Sequence, residues 1–218
     1  MIVNESETYS TEMAKFFEEK IKKELGTENV HRVSYVKNKF IPDEIVDKAM
    51  SYSPDVVFAP IYSYELVVMY NYYLEKYSSS KHRPHFLSGD TMGRKNVVYG
   101  KLGNNKNKLT GNMSFTANWV PEMKNQESLQ FTKRYQKAYG DFPPSAAAAG
   151  FDAAKILHLA LKTSKKKTAK EVNQAIQNIE LKGTIGNISF APARTSKRVV
   201  PLLSVSYTHL RAHETLSH

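Results

Sequence analysis

Hydrophobic and polar positions follow two alternating periods from Met1 to about Ser88. Short apolar runs predict strands at Met1–Asn4, Val30–Val36 and Val56–Ala59. Between these runs, apolar residues three or four positions apart predict helices. The predicted inward stripes are Met13, Phe16, Phe17, Ile21 and Leu25; Ile45, Ala49 and Met50; and Leu66, Tyr70, Tyr73, Leu74 and Tyr77. Strand alternating with helix indicates a parallel sheet with helices packed on its faces.

The pattern changes after a fourth predicted strand, His85–Ser88. A polar stretch rich in Gly, Asn and Lys, 100–112, breaks the alternation, and helical spacing dominates beyond it. The stripe on one of these later helices is predicted as Phe151, Ala154, His158 and Leu161. Strands are predicted again at Gly183–Phe190 and Val199–Val205. We therefore predict an α/β fold with a doubly wound, Rossmann-like lobe over 1–113, a mainly helical part over 114–187, and strands over 188–205 that return to the first lobe.

Composition indicates an ordinary globular protein. Of 218 residues, 41% are hydrophobic and 24% are charged, which argues against disorder. The net charge of +10 is densest between Lys162 and Lys170, where no aromatic residue is interleaved, so we predict a solvated linker and no nucleic-acid partner. No apolar run approaches the roughly 18 residues of a membrane span, and the first residues have neither a basic nor an apolar segment typical of an export signal.

Motifs for covalent chemistry are absent from the sequence. There is no Cys, no G-x-G-x-x-G, no P-loop and no G-x-S-x-G. His213-Glu214 followed by His218 resembles a zinc-protease helix, but the second histidine is one residue too far for i, i+4 spacing. His158 is predicted to be a structural core histidine. We expect no catalytic residue, no metal site and no cofactor.

Polar and aromatic residues follow three predicted strands. These segments are Glu5–Tyr9, Pro60–Tyr64 and Ser88–Thr91. Open parallel sheets bind ligands outside the carboxyl ends of their strands. Tyrosines beside a carboxylate would suit an organic cation or the ammonium group of an amino acid. Two alternatives stay open: the tyrosines line a surface, and Asp90 caps the helix that follows it.

Several segments in order resemble one family, the periplasmic leucine/isoleucine/valine-binding proteins of ABC transporters. The segment from Asn4 to Ala14 is similar to an acidic-then-Tyr-Gly-x-x-x-Ala motif, with Ser10 in place of Gly. The segment from Ser53 to Phe58, followed by Tyr62, resembles an "NPDVVF" strand and aromatic loop. Further similarities are Phe131–Tyr139, Gly140, Pro143, Gly150–Ala154, and a "G-x-x-G-x-I-x-F" strand at Gly183–Phe190. The resemblance extends from about Ile2 to Val205.

The resemblance implies a type 1 periplasmic binding protein fold, in which two lobes close on a ligand. The implied function is an extracytoplasmic receptor that captures a small amino acid or related amine or amide and delivers it to an ABC transporter permease, with no enzymatic activity. Tyr9, Tyr62 and Ser63 would contact the ligand, Asp90 would pair with its ammonium group, and the first lobe would contribute Ser145 and Ala146. The implied location is the periplasm or, for a lipoprotein, the cell surface.

Two departures from the family pattern change these expectations. The chain begins where the family crosses into its second lobe, so we expect only part of the ligand site here, with the export signal outside this sequence. Residues 206–218 have no family counterpart and are interpreted as a non-native tail. Two other functions remain alternatives: a ligand-sensing regulatory domain of the same fold, and a doubly wound enzyme whose catalytic residues lie in the missing part.

Overall fold

The computed structural model describes residues 1–26, 29–93, 111–121, 123–190, 196–197, 200, 202–204 and 211–213. The chain divides into two compact units. Unit 1 comprises Met1–Thr116 with Leu203–Arg211, and unit 2 comprises Ala117–Leu202 with Ala212–His218. We had placed this boundary after residue 113, in a polar stretch that lies mostly outside the described residues. Most of the predicted tail, 206–218, also lies outside them.

Unit 1 alternates strand with helix. Its elements are β1 (Ile2–Asn4), α1 (Thr8–Leu25), β2 (Val33–Tyr35), a 3₁₀ helix (Lys37–Lys39), α2 (Pro42–Met50), β3 (Val56–Phe58), α3 (Ser63–Tyr77), β4 (His85–Ser88), a second 3₁₀ helix (Asp90–Gly93) and β5 (Met113–Thr116). Strand β1 pairs with β2 in parallel, and β4 pairs in parallel with both β3 and β5. The predicted α/β class with parallel sheets is therefore confirmed.

Apolar spacing explains where α3 packs. Leu66, Tyr70 and Tyr73 are almost fully buried, as predicted. The Phe86 ring of β4 lies 4.9 Å from the ring centroids of both Tyr70 and Tyr73. Burial of such aromatic side chains contributes much of the free energy that stabilises a core of this kind. The predicted inward stripe of α1 is wrong at one position, because Phe16 is 65% exposed.

The described residues of unit 2 form three helices and a small antiparallel sheet. Its elements are α4 (Gln126–Tyr139), α5 (Ser145–Thr163), α6 (Ala169–Gln177), β6 (Glu180–Gly183), β7 (Gly186–Phe190) and β8 (Ser196–Lys197). Helix α4 begins where the Asn125 side chain accepts a hydrogen bond from Ser128 N, and it ends at Gly140 with φ 72°. Beyond β8, β9 (Leu202–Ser204) and β10 (Arg211–His213) extend the sheet of β3 to β5, in the order β10-β9-β5-β4-β3. None of the helices in the described ranges is long and apolar enough to cross a membrane.

The buried face of α5 differs from the predicted one. Its buried residues are Ala148, Asp152, Ile156 and Ala160, whereas His158 is exposed. The prediction that His158 faces the core is therefore wrong. Apolar residues surround much of this helix, so periodicity did not select one stripe. The stripe actually buried contains Asp152, a charged residue that sequence patterns assign to the surface.

Asp152 is buried because the following hairpin supplies its hydrogen bonds. Its two carboxylate oxygens accept from Thr184 N and Ile185 N, both at 2.8 Å. These two residues form the turn between β6 and β7, which pair antiparallel. The segment 188–190, expected from the sequence to return to the first lobe, therefore stays inside unit 2, where Ile188 and Ser189 pair with β6 and Phe190 pairs with β8. The chain rejoins unit 1 only at Leu203.

Candidate functional site

The carboxyl ends of the strands in unit 1 bring three of the predicted site residues together. Tyr9 lies in the first turn of α1 after β1, Tyr62 directly precedes α3 after β3, and Asp90 follows β4. Strand β1 belongs to a two-stranded sheet with β2, whereas β3 and β4 are neighbours in a second sheet. Open α/β sheets bind ligands at the carboxyl ends of their strands. We call Tyr9, Tyr62 and Asp90 the edge cluster.

A hydrogen bond joins two members of the edge cluster. The Tyr9 hydroxyl donates to Asp90 Oδ1 at 3.0 Å, across 81 residues of sequence. Burial, together with the negative charge of Asp90 and this hydrogen bond, raises the pKa of Tyr9. Tyr9 therefore keeps its proton at physiological pH and remains a donor. A donor of this kind orients the carboxylate that accepts its hydrogen bond.

The two tyrosines of the edge cluster stack. Their ring centroids are 5.8 Å apart, with an interplanar angle of 17°. Tyr62 is 45% exposed, so part of this aromatic surface remains open to solvent. Aromatic rings attract cations through their π faces, most strongly where solvent is excluded. The edge cluster therefore combines an aromatic surface with a carboxylate oriented by a tyrosine hydroxyl.

Gly89 permits the close approach of Tyr9 to the end of β4. A Cβ atom at this position would lie 1.9 Å from the Tyr9 hydroxyl oxygen and 3.1 Å from Met13 Sδ. The sequence analysis includes Gly89 only as part of the segment Ser88–Thr91 that follows the fourth strand. A glycine between an apolar strand and an acid was the available signal, but its steric role depends on Tyr9, which is distant in sequence.

Hydroxyl groups tie the loop after β4 to the loop after β3. Ser88 Oγ donates to Ala59 O at 2.8 Å, and Thr91 Oγ1 donates to Ile61 O at 2.9 Å. The two donors, Ser88 and Thr91, lie on either side of Asp90 in the sequence, and the two acceptors, Ala59 and Ile61, precede Tyr62. The relative position of the two loops is thereby fixed by bonds on both sides of Asp90.

The remaining predicted site residues lie in two places. Ser63 is the buried first residue of α3, adjacent to Tyr62 in unit 1. Ser145 and Ala146 begin α5 in unit 2, where Ser145 is partly exposed and Ala146 is exposed. Contact of any of these residues with a ligand stays a prediction.

The described residues contain no group of three or more His, Asp or Glu side chains that could hold a metal ion. The edge cluster itself holds one carboxylate and two phenols, a set suited to binding an organic cation by charge and aromatic contact. It holds a single carboxylate and therefore lacks the paired carboxylates of glycoside hydrolysis.

Comparison with known families gives a match over about half of the chain. Residues 100–204 match the family model described as periplasmic binding protein. A search of curated proteins gives no significant match. The sequence resemblance, found over a longer range, agrees with this family match.

Solved structures with the same fold cover nearly the whole chain. A leucine-binding protein from Thermotoga maritima aligns with a TM-score of 0.84 at 19% identity, over 98% of this chain and 59% of its own. A leucine-, isoleucine-, valine-, threonine- and alanine-binding protein from Brucella ovis gives 0.79 at 20% identity, over 99% and 57%. A solute-binding protein from R. palustris, in complex with benzoate, gives 0.74 at 16% identity, over 98% and 57%.

These alignments show the fold. The described part of the chain has the type 1 periplasmic binding protein fold, which is the fold that the sequence resemblance implied. The chain spans less than two thirds of the length of these structural neighbours.

Proposed function

We propose that this chain, with its type 1 periplasmic binding protein fold, is part of an extracytoplasmic solute-binding receptor. The receptor captures a small amino acid, or a related amine or amide, by closure of its lobes. It then delivers the ligand to an ABC transporter permease. The proposed location is the periplasm or the outer face of the cell membrane, and the proposed activity is binding without covalent chemistry.

The edge cluster is the observation that carries this proposal. Two stacked tyrosines and a carboxylate held by a tyrosine hydroxyl lie at the carboxyl ends of parallel strands. A charge-assisted hydrogen bond from an ammonium group to Asp90 would contribute about 1.5–3 kcal/mol. The family match and the structural neighbours support a binding role for this edge, with ligand identity determined by the side chains there.

Fold alone does not select an amine as the ligand. One structural neighbour carries benzoate, an anion, whereas others are named for leucine and related amino acids. A ligand carboxylate placed beside Asp90 would meet a like charge, which is unfavourable in a partly buried site. The position of Asp90 therefore favours a ligand whose positive group faces this edge.

The experiment is a binding screen of the full-length receptor against amino acids, amides, aromatic acids and sugars by thermal shift and calorimetry. We expect an amino acid or amide to raise the melting temperature. Asp90→Asn should weaken binding of the amine-bearing ligand by about 2–5 kcal/mol, because the ammonium group would be left without its anionic partner. Asp55→Asn is the matched control, since Asp55 is an exposed acid just before the amino end of β3.

Two outcomes contradict the proposal. Stabilisation by sugars alone would exclude an amino-acid receptor. An affinity of Asp90→Asn within about twofold of the wild type, less than about 0.5 kcal/mol, would exclude Asp90 as the partner of the ammonium group.

A further inference from the structure

A buried asparagine at the end of β1 connects three segments of unit 1. Asn4 is 1% exposed. Its backbone N–H donates to Ser10 Oγ at 2.9 Å, and its side-chain oxygen accepts from Ser6 N at 3.0 Å. Its side-chain Nδ2 donates to Glu65 Oε1 at 3.0 Å. Asn4 thus links the loop after β1, the first turn of α1 and the first turn of α3.

Glu65 is the partner of Asn4 on α3. It is 8% exposed and lies three residues after Tyr62. Its second carboxylate oxygen, Oε2, and the buried hydroxyl of Tyr35, at the end of β2, have no hydrogen-bond partner among the described residues. Burial raises the pKa of Glu65, and the charge of Glu7 acts in the same direction, whereas contacts with Tyr35, the Tyr62 backbone and Asn4 lower it. A buried carboxyl of this kind is costly unless its hydrogen bonds are met.

These contacts involve residues close in sequence to the two tyrosines of the edge cluster. Tyr9 directly precedes Ser10, whose side chain accepts from Asn4. Tyr62 is held to α3 by the bond from Leu66 N to Tyr62 O at 3.1 Å, in the same turn as Glu65. The chain of contacts Ser10–Asn4–Glu65 therefore joins the helix that carries Tyr9 to the helix that follows Tyr62. We call these three residues the buried relay.

We propose that the buried relay positions the candidate ligand site, with Glu65 as the positioning residue that holds Tyr62 in register with Tyr9. This inference rests on the proposed function only in calling the edge cluster a ligand site. The rings are attached to separate helices, so their stacking depends on what fixes those helices relative to each other. The relay is a direct polar connection between them, and removing the acceptor at Glu65 breaks it.

A merely structural role for Glu65 makes a different prediction. If the side chain only fills space, then an unbranched apolar residue of similar length should serve equally well, and often better, because an apolar residue has no desolvation cost. If the relay positions the rings, then hydrogen bonding matters and volume alone is not sufficient. Glu65→Met keeps the length without an acceptor, and Glu65→Gln keeps an acceptor for Asn4.

The test is ¹⁹F NMR of the full 218-residue chain labelled with 3-fluorotyrosine. Signals of Tyr9 and Tyr62 are assigned from Tyr9→Phe and Tyr62→Phe. We expect Glu65→Met to move both signals by more than a linewidth, and Glu65→Gln to leave both within a linewidth. Glu75→Met is the matched control, because Glu75 is an exposed acid on the same helix, and it should move neither signal.

Ser10→Ala gives a second test if Glu65→Met does not fold. It removes the acceptor of the Asn4 N–H with almost no change in volume, and it should move the Tyr9 signal. Unchanged Tyr9 and Tyr62 signals in a folded Glu65→Met chain, or an unchanged Tyr9 signal in Ser10→Ala, would overturn the inference.

The NMR result separates this inference from the proposed function. Because no ligand is added, loss of ring register in Glu65→Met supports the relay even if the full-length protein binds no amino acid. In a receptor that does bind one, Glu65→Met should weaken binding at least tenfold, while Glu65→Gln stays within threefold. Equal affinities for Glu65→Met and the wild type would also overturn the positioning role.

Discussion

Replacing Gly89 by alanine tests whether the edge cluster is packed as the structure shows. The added methyl carbon would lie 1.9 Å from the Tyr9 hydroxyl oxygen, so the Tyr9 side chain must move. Overpacking of this kind costs about 1–3 kcal/mol. Movement of Tyr9 would also break its 3.0 Å hydrogen bond to Asp90 and separate it from Tyr62. We expect Gly89→Ala to destabilise unit 1 by about 2–3 kcal/mol.

A double-mutant cycle isolates the contact responsible. Tyr9→Phe removes the hydroxyl, and the next nearest atoms, Met13 Sδ and Tyr9 Cζ, lie at 3.1 Å, where a small shift is sufficient. Gly89→Ala should therefore cost less than about 1 kcal/mol in the Tyr9→Phe background, giving a coupling energy of at least about 1 kcal/mol.

Urea unfolding of the four proteins measures this coupling. Near-ultraviolet circular dichroism follows the tyrosines, while the fluorescence of Trp119, the single tryptophan, reports on unit 2 and should not change. Gly150→Ala is the control, because a Cβ there meets nothing within 4 Å, and it should stabilise α5 by about 0.5–1 kcal/mol. If the losses of unfolding free energy caused by Gly89→Ala and by Tyr9→Phe add to within about 0.5 kcal/mol in the double mutant, the steric explanation is refuted.

Two further predictions concern buried acids. Asp152→Ala should destabilise unit 2 by about 3 kcal/mol or more, because the N–H groups of Thr184 and Ile185 lose their acceptors in a buried site, and Trp119 fluorescence in urea measures the change. A loss below about 1 kcal/mol would contradict this. Glu65 has a raised pKa in the folded state, so its contribution is fully present below the unfolded value of about 4.3 and declines as pH rises through the folded value. The stability of Glu65→Gln relative to the wild type should therefore increase with pH in urea titrations from pH 4 to 8, and parallel profiles would contradict the burial of an ionisable group there.

Sequence patterns predicted the strands and helices of unit 1 because the local spacing of its apolar residues matches the faces that these elements bury in the fold. The apolar run at Val56–Phe58 and the stripe of Leu66, Tyr70 and Tyr73 are local features that each specify one element. The common edge of Tyr9, Tyr62 and Asp90 followed from the rule that parallel strands end together. Ring stacking and the hydrogen bond from Tyr9 to Asp90 could not be predicted, because they depend on helix positions within an ångström.

Buried polar residues were the main features that the sequence did not predict. Asn4, Glu65 and Asp152 are polar or charged, so hydropathy assigns them to the surface. Each is buried because its partner comes from elsewhere in the chain: Glu65 is 61 residues from Asn4, and Thr184 is 32 residues from Asp152. No pattern within a window of 10 to 20 residues contains both members of such a pair.

Under the proposed function, a few side chains at the strand ends select the ligand; structural neighbours of similar backbone include a protein named for leucine and one in complex with benzoate. The backbone brings loops to the edge of the sheet, and the side chains there set the charge that a ligand meets. In this chain the oriented carboxylate is Asp90, and its orientation depends on Tyr9, which in turn requires Gly89 and is linked to α3 by the buried relay. Selectivity for a positive group should therefore be sensitive to residues that never touch the ligand.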